Sequence, residues 1–412
     1  MPLKTLESVA DLGGPKWLVD RREEGRSAFE RMGIPSATQE VWRYSPIGNL
    51  ELERFAPALA EKVNEDIIPP QLLENAATVV RVLGGTPQIA SHDLAGLSVT
   101  TASAHAEGQE LLGSVVGGHE TIVTLNDGYL SDAIIIDVKR GALIEQPIVI
   151  VHHVAPGASF PRTFVRMGDG AVATVIEVAI GGAGETLNVP VTEMDVAERA
   201  NLRYGAIQLL GSEAWHLATI DAKVEKDGVI NQFTAGLGGR YDRCRSDVAL
   251  VGQGASSMLR ATYLGSGEQI HDLRTKQDHI APKTQSDLLC KGAVFGTSRS
   301  IYTGLIKMQK GAMRSDAMQT NHNLVLSETA RADSVPNLDI TENDVRCSHA
   351  STVGPIDEDQ RYYLESRGID PEHAQGLLVR GFFKDLLDRT TVPIAPALAG
   401  LVIEERVEEE GI

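Results

Sequence analysis

The amino-acid sequence predicts a mainly β protein whose centre is a parallel β-helix flanked by α-helical N-terminal and C-terminal regions. Three observations predict it. Short β-branched runs separated by glycines fill the middle of the chain, small residues recur there at a regular spacing, and both ends show apolar residues at helical spacing. We therefore expect a helical region over 1–75, a β-helix core over 76–350 and a second helical region over 351–412.

The N-terminal region has the pattern of an amphipathic helix. Trp17, Phe29 and Met32 stand at roughly helical spacing, and the charged run 20–26 supplies the opposite face. Pro69-Pro70 is expected to end the helical region, because proline cannot continue a helix.

The middle of the chain has the sequence pattern of short β-strands. Apolar and β-branched runs are separated by glycine-containing turns, as in an extended all-β region. The clearest runs are 78–83, 121–125, 133–138, 147–151 and 172–179.

The spacing of Gly-Ala steps favours a coiled arrangement of these strands. Steps begin at Gly254, Gly292 and Gly311, so the first interval is twice the second. A repeat of about 20 residues is typical of a parallel β-helix, with the small residues at the corner of each coil. A β-sandwich is the alternative, since a glycine-rich chain can produce such intervals by chance.

The C-terminal region again predicts helices. Asp357 with Gln360 resembles a capping box, and Gly368 is a plausible helix end. Asp370-Pro371 then has the pattern of an N-cap followed by proline at the first helical position. The apolar residues that follow are Leu377, Leu378, Phe382, Leu386 and Leu387. A helix this apolar must be covered by its own domain or by a partner.

Composition narrows the class of protein. Against 38 Lys and Arg stand 56 Asp and Glu, a net charge of −18, which disfavours nucleic acid and anionic membranes as partners. The three cysteines, Cys244, Cys290 and Cys347, are widely spaced and odd in number, so we expect reduced thiols. No signal-like or membrane-spanning segment stands out. We expect a cytoplasmic protein.

Several enzyme signatures are missing from the sequence. There is no G-x-x-x-x-G-K-[ST] loop, no H-E-x-x-H, no C-x-x-C and no G-x-S-x-G. We therefore expect a chain that binds no nucleotide of its own and is not a self-sufficient enzyme.

One local constellation stands out at 344–349. In a strand, alternate residues share a face, so Val345, Cys347 and His349 would point the same way. A thiolate and an imidazole together suit zinc, iron or an iron–sulfur cluster, although such a site normally takes about four ligands. Another chain could supply the rest. The alternative is a small buried cysteine beside a hydrogen-bonded histidine.

The other histidines favour structural roles. His152-His153 would face opposite sides of a strand and could not easily chelate one metal. His271 and His279 flank a polar stretch, 272–278, which we expect to be a solvated turn.

The last third of the chain resembles the SufB/SufD family of the SUF iron–sulfur cluster assembly system. The stretches that carry the resemblance are Ser286-Asp287-Leu288-Leu289, Lys291-Gly292-Ala293, Tyr302-Thr303-Gly304-Leu305, Gly311-Ala312, Asn323-Leu324-Val325-Leu326-Ser327-Glu328, Pro336-Asn337-Leu338-Asp339-Ile340, the run from Asp344 to Gly354, Tyr362-Tyr363-Leu364, Ser366-Arg367-Gly368-Ile369 and Gly381-Phe382-Phe383-Lys384-Asp385. Trp42-Arg43-Tyr44 is similar to the family's tryptophan motif. The Cys-x-His-x-x-Thr-Val-Gly pattern resembles the D-type subunit, SufD, although Ala350-Ser351 stands where Gly-Ala is more usual.

The resemblance implies a right-handed parallel β-helix and a non-catalytic scaffold. It implies pairing with a B-type subunit, SufB, through the β-helix, or with a second copy when alone. It also implies that the C-terminal helices bind the ATPase SufC. His349 would contribute to cluster assembly at the partner interface, with Cys347 beside it, so a transient cluster would be shared there rather than held tightly by this chain.

Three other functions stay open on the sequence. The chain could be a B-type paralogue that holds the cluster as a homodimer, although its few cysteines argue against this. It could be a β-helix carbohydrate-active enzyme such as a polysaccharide lyase or esterase. It could also be an interaction module without a metal role.

Overall fold

A computed structural model describes residues 12–58, 60–89, 92–116, 120–409 and 411. The start of the chain, on which the expectation of no targeting segment depends, lies largely outside these residues. The helices are α1 Lys16–Met32, α2 Pro70–Glu74, α3 Gly108–Leu111, α4 Thr121–Tyr129, α5 Glu358–Ser366, α6 Pro371–Asp388 and α7 Ala395–Glu409, with 3-10 helices at Glu40–Trp42, Ile47–Asn49 and Leu52–Arg54. None of the described helices has the length and apolar content needed to span a bilayer.

Strands make up most of the regular structure, as the sequence predicts. They are β1 Thr78–Leu83, β2 Thr86–Gln88, β3 His92–Leu94, β4 Leu97–Thr101, β5 Ile134–Val138, β6 Ile148–Val154, β7 Gly157–Ser159, β8 Arg162–Met167, β9 Val172–Gly181, β10 Thr186–Asn188, β11 Val191–Val196, β12 Asn201–Leu209, β13 Ala214–Val224, β14 Val229–Gly236, β15 Tyr241–Leu250, β16 Ser256–Gly265, β17 Ile270–His279, β18 Gln285–Val294, β19 Arg299–Met308, β20 Asp316–Val325, β21 Arg331–Ile340 and β22 Arg346–Gly354.

The strands form two facing sheets that the chain visits in turn. The first sheet has the order β2-β1-β6-β9-β12-β14-β16-β18-β20-β22, and the second has the order β21-β19-β17-β15-β13-β11-β8-β5-β4-β3. All pairs among β5 to β22 are parallel, so each passage through both sheets closes one coil of a parallel β-helix of about eight turns. The predicted fold class is confirmed, and the β-sandwich alternative is wrong.

The predicted repeat of about 20 residues is wrong, because one coil of the β-helix is about half as long again as that repeat. Tyr241 pairs with Ile270 in the next coil of one sheet, and Asp316 pairs with Arg346 in the other. Gly254 and Gly311 lie in equivalent turns that are two coils apart. The distance along the chain between them equals three times the distance from Gly292 to Gly311, so two coils were counted as three repeats. Gly292 lies inside β18 instead, where an added Cβ would come within 1.8 Å of the Tyr263 ring.

The run 121–125, predicted as a strand, forms the first half of helix α4. This helix is buried on almost every side and crosses α1 closely. A Cβ on Gly25 would lie 2.6 Å from the backbone nitrogen of Gly128, so only glycine permits this approach. The packing of α1 against α4 therefore overrides the strand preference of the β-branched run.

Pro69-Pro70 also differs from the prediction. Instead of ending the helical region, Pro70 begins the short helix α2, at a position where proline is favoured.

The tryptophan motif fastens the N-terminal region to the side of the β-helix. The guanidinium of Arg243 stacks 3.7 Å from the Trp42 ring and donates to the carbonyl of Val41. Arg274, on the next coil, donates to the carbonyl of Arg43 at 3.2 Å. Two successive coils thus hold one N-terminal segment.

The C-terminal helices begin where the sequence predicts. The Asp357 side chain accepts from the backbone N–H groups of Asp359 and Gln360, and Asp370 caps α6 from in front of Pro371. Residues of α6 and α7 then cover the outward side of the first sheet; among them Phe383 and Leu398 pack in one core with Ile176 of β9. The apolar helix is therefore partly covered by its own domain.

The interior of the coils carries buried amides without partners. Gln232, Gln277 and Gln319 are each 1–2% exposed, and within the described chain neither amide atom of any of them has a hydrogen-bond partner. A buried polar group left unsatisfied costs about 1–3 kcal/mol. Six such atoms would together cost an amount comparable with the ~5–15 kcal/mol that stabilises a typical folded protein.

We expect His279 to make the β-helix sensitive to acid. The ring is buried, and its two nitrogens lie 2.8 Å from the hydroxyls of Thr284 and Ser286. Burial lowers the pKa of His279 to about 4, from 6.5 when exposed. The folded state therefore favours the neutral ring. Above pH 6.5 the ring is neutral in both states and the free energy of unfolding has its full value. As the pH falls towards 4, the unfolded chain takes up the proton first, and the free energy of unfolding is lower by roughly 2–3 kcal/mol at pH 4.5.

Urea denaturation at pH 7.5 and pH 4.5 measures this effect. Wild type should lose roughly 2–3 kcal/mol more than His279→Gln between the two pH values, because glutamine does not titrate. His373→Gln is the control, since the His373 side chain is 80% exposed, and it should behave as wild type. An equal loss in wild type and His279→Gln would show that His279 is not the acid-sensitive group.

Candidate functional site at the open end of the β-helix

The last coil of the β-helix is open. Strand β21 pairs only with β19, and β22 pairs only with β20, so each stands at the end of its sheet. Each presents one row of backbone N–H and C=O groups that no other described strand uses. Such an edge readily accepts another strand.

Cys347 and His349 lie on the inward face of β22, as strand alternation predicts. Cys347 is in register with Ala317, and His349 with Gln319, both buried one coil below. Two residues along a strand span roughly 6.6 Å. The structure therefore places the thiol and the imidazole side by side on the uncovered end of the coil, within reach of an approaching partner.

The two side chains differ in environment. Cys347 is half-buried and packs with Val345 against Ile306, Met308 and Ala317. This burial, with the nearby Asp316 carboxylate, raises the pKa of the Cys347 thiol. His349 is exposed and makes no hydrogen bond or ion pair with any described residue. The thiol is therefore held protonated, whereas the imidazole is open to a ligand or partner.

The floor of this site is polar. Asn321, directly beneath Ser351, accepts from Ser334 at 2.9 Å and from the Asn323 amide at 2.6 Å. Ser334 of β21 lies 2.7 Å from Ser351 of β22, so a hydroxyl pair joins the two edge strands. This floor was not predicted. Its only signal in the sequence is the polar alternation Gln319, Asn321, Asn323.

The rim of the open end is apolar. Leu338 and Ile340 are 37% and 45% exposed, and they stack on Ile306 and Met308, which are fully buried. On the other strand, Val353 is 45% exposed. The apolar core thus continues to the surface without a cap, and a contiguous exposed apolar area of this kind marks a binding surface.

The adjacent histidines His152 and His153 face opposite sides, as predicted. His152 points inward and lies 2.7 Å from the Glu177 carboxylate. His153 accepts from the Val63 N–H at 2.9 Å and contacts Glu65.

The prediction of a solvated turn over 272–278 is wrong, because this stretch belongs to the buried strand β17. Asp272 is 1% exposed and accepts from Tyr241 at 2.9 Å and Arg243 at 2.7 Å, so its charge is paired. His271 and His279 are also buried. These polar residues find their partners mainly one coil away, which a local reading of the sequence cannot show.

The other two cysteines are inert core residues. Cys290 is fully buried, and burial raises its pKa to about 12. Cys244 faces inward, and burial likewise raises its pKa despite the neighbouring Arg243. Both thiols are free and protonated at neutral pH.

The C-terminal helices leave large side chains exposed. Tyr362 and Tyr363 of α5 are 73% and 57% exposed, Leu377 of α6 is 46% exposed, and Leu401 of α7 is 56% exposed. Exposed aromatic and apolar side chains of this kind are typical of surfaces that bind a protein partner.

Across the described ranges, no three His, Cys, Asp or Glu side chains come together in a way that would hold a metal ion. Cys347 and His349 are thus only two potential ligands, and a metal bound there would need further ligands from another molecule.

The fold and the site define a parallel β-helix protein with an uncovered last coil that carries a thiol and an imidazole side by side. A sequence model described as SUF system FeS cluster assembly, SufBD core domain, matches residues 150–382. The iron-sulfur cluster assembly protein SufD of Escherichia coli K12 is 28% identical over 371 residues, covering 87% of this chain and 86% of that protein. The chain belongs to the SufB/SufD family and is SufD-like.

Other bacteria have similar proteins. An iron-sulfur cluster assembly SufBD family protein of Mycobacterium bovis is 29% identical over 92% of this chain and 90% of its own length. Another from a Synechocystis strain is 25% identical over 95% of this chain and 92% of its own length. The similarity therefore extends over almost the whole chain.

Proposed function

We propose that this chain is a non-catalytic scaffold subunit for iron–sulfur cluster assembly, working with a SufB-type subunit and a SufC-type ATPase. The observation that carries the proposal is the position of this thiol and imidazole. Cys347 and His349 stand on an uncovered edge with too few ligands to hold a cluster alone. A cluster would form as cargo, shared with the chain that covers the edge.

The chemistry of the two side chains supports this role. Iron–sulfur clusters are held by cysteine thiolates, and in some proteins partly by histidine nitrogens. The raised pKa of Cys347 means that its thiol must lose a proton before it can bind iron. His349 needs no such step when neutral. Both side chains can therefore bind iron, His349 as the neutral imidazole and Cys347 once its thiol has lost its proton.

The geometry of the open end supports a β-helix as the partner. Strands β21 and β22 each offer an unused backbone edge, and Leu338, Ile340 and Val353 add apolar area beside it. A second open-ended β-helix would satisfy both the edge and the apolar rim. A SufB-type subunit fits this description, and a second copy of this chain would occupy the same surface when the subunit is alone.

The large exposed side chains on α5, α6 and α7 support docking of the ATPase at these helices. The chain itself lacks a nucleotide loop, so nucleotide chemistry would have to come from a partner. Lys291 of β18 joins α6 to the β-helix through Asp385 at 2.7 Å and the Phe382 carbonyl at 3.0 Å. A partner that moves the helices would therefore pull on the coils next to the open end.

Replacement of His349 by alanine is expected to reduce cluster formation in the assembled complex at least tenfold, because a ligand is lost while the fold is untouched. Cluster content is measured by visible absorbance and iron analysis of the co-purified complex. His373→Ala is the matched control, an exposed histidine on α6, and it should retain full content. Unchanged content in His349→Ala would remove the ligand role of His349.

Co-expression with a SufB-type subunit and a SufC-type ATPase, followed by native mass measurement, tests the partners. A complex containing one copy of this chain and one SufB-type subunit is expected. A homodimer that persists in the presence of the SufB-type subunit would instead favour a homodimeric cluster scaffold.

A further inference from the structure

The interior of the β-helix contains a cavity of about 70 Å³ at the level of β6 to β17. Its lining includes His152, Glu177, Asp242, Tyr263 and His271. His152 and His271 are buried, with 4% and 1% of their surface exposed. Among the described residues, Nδ1 of His152 and Nε2 of His271 nevertheless have no hydrogen-bond partner. A cavity of this size has room for at least two water molecules at about 30 Å³ each.

The unpartnered atoms continue along the interior beyond this cavity. Gln232 on β14 has Tyr204 and Leu259 as its register partners, Gln277 on β17 stands between Val248 and Ile306, and Gln319 on β20 lies beneath His349. All these neighbours except His349 are buried, so the three amides face the inside of the coils. Ser246 and Ser257 add buried hydroxyls without partners in the described chain.

A chain of hydrogen bonds links the cavity to the open end. The Tyr263 ring stacks on His271, and its hydroxyl donates to Asn323. Asn323 donates to Asn321 at 2.6 Å. Asn321 accepts from Ser334, which contacts Ser351 of the last strand. A polar lining therefore runs from the middle of the β-helix to its uncovered coil.

We propose that this interior holds a file of ordered water molecules, from the cavity beside His152 to the coil beneath His349. The physical reason is the free-energy cost of leaving these buried amides without hydrogen bonds. Six unsatisfied amide atoms would cost about as much free energy as stabilises a typical folded protein. Water is the ligand that fits, since the unpartnered amides offer both donors and acceptors and the cavity beside His152 has room for molecules of that size. The inference is independent of the proposed function, because it requires no cluster and no partner.

Magnetic relaxation dispersion of water ¹⁷O and ²H on the isolated full-length chain tests the proposal, since it counts waters held inside a protein. Each of Gln232→Leu, Gln277→Leu and Gln319→Leu should lose about one or two long-lived waters. The Tm of each variant should be no higher than that of wild type. In a dry interior the water count would stay the same and Tm would rise, because an unsatisfied amide is replaced by an apolar group of similar shape.

Asn126→Leu is the control. Its amide is also buried and lies away from the cavity, and it donates to the carbonyls of Pro161 at 2.9 Å and Val189 at 2.7 Å. This variant should lower Tm and leave the water count unchanged. An unchanged count in all three test variants would overturn the proposal, whatever their Tm.

High-resolution crystallography of the wild type decides the matter if the variants fail to fold. Ordered water density within about 3.2 Å of the Gln232 and Gln277 amide atoms is expected. Clear side-chain density with empty space around those atoms would overturn the proposal.

Discussion

Replacement of Arg162 by alanine is expected to destabilise the protein by about 3–5 kcal/mol, because it leaves a fully buried carboxylate without its counter-charge. Arg162 on β8 is 1% exposed and donates to Glu193 on β11 at 2.6 Å. Glu193 also accepts the backbone N–H groups of Gly113, Val115 and Val116 at 2.8–3.0 Å. The arginine therefore supports both a coil contact and the segment before α4.

Urea denaturation followed by circular dichroism measures the loss. Arg140→Ala is the matched control, since the Arg140 side chain is 79% exposed and lies 3.9 Å from Asp169; it should change stability by less than about 0.5 kcal/mol. The double variant Arg162→Ala with Glu193→Gln should recover part of the loss, because the amide carries no charge. Equal stability of Arg162→Ala and Arg140→Ala would mean that the buried pair contributes nothing.

The second large effect is on the affinity of this chain for the proposed partner subunit. Leu338→Asp is expected to weaken binding of a SufB-type subunit at least about 100-fold, equivalent to about 3 kcal/mol. The reason is that a partner covering the last coil would bury the new carboxylate, with no cation in register beneath it, since Leu338 stacks on Ile306. Isothermal titration calorimetry measures the affinity, and circular dichroism of the isolated variant checks that it remains folded.

Leu143→Asp provides the comparison for this prediction. Leu143 is 63% exposed and lies near the first coils, where it bridges to Val172. The same change in charge there should leave the affinity unaltered. If Leu338→Asp bound as tightly as Leu143→Asp, the partner would dock elsewhere and the open end would have another role.

Local features of the fold were predictable from the sequence wherever short-range chemistry decides them. The caps Asp357 and Asp370 and the strand β1 follow from residues within a few positions of each other. The helix α4 was not predictable, because its conformation depends on the close approach of Gly25 to Gly128, which are far apart in the chain. The length of the coil was hidden by coincidence, since two coils span the same distance along the chain as three of the shorter Gly-Ala intervals.

The candidate site was predictable only in part, for a related reason. Strand alternation places Cys347 and His349 on one face, and this needs no knowledge of the neighbouring strand. Gln319 lies beneath His349 only because β20 and β22 pair in a particular register, which is a property of two segments one coil apart. For the same reason the buried partners of Asp272 could not be predicted, and the local sequence pattern predicts a turn where the chain forms a buried strand.

The open last coil has a consequence for how much of this protein a cell can tolerate. Each coil of a β-helix is a template to which the next one pairs, and on β21 and β22 that template is still exposed. If a partner subunit covers this coil, as proposed above, copies of the chain made in excess of that partner would offer the template to one another, or to any extended segment nearby. Balanced synthesis of the two proteins would then protect this chain from aggregation.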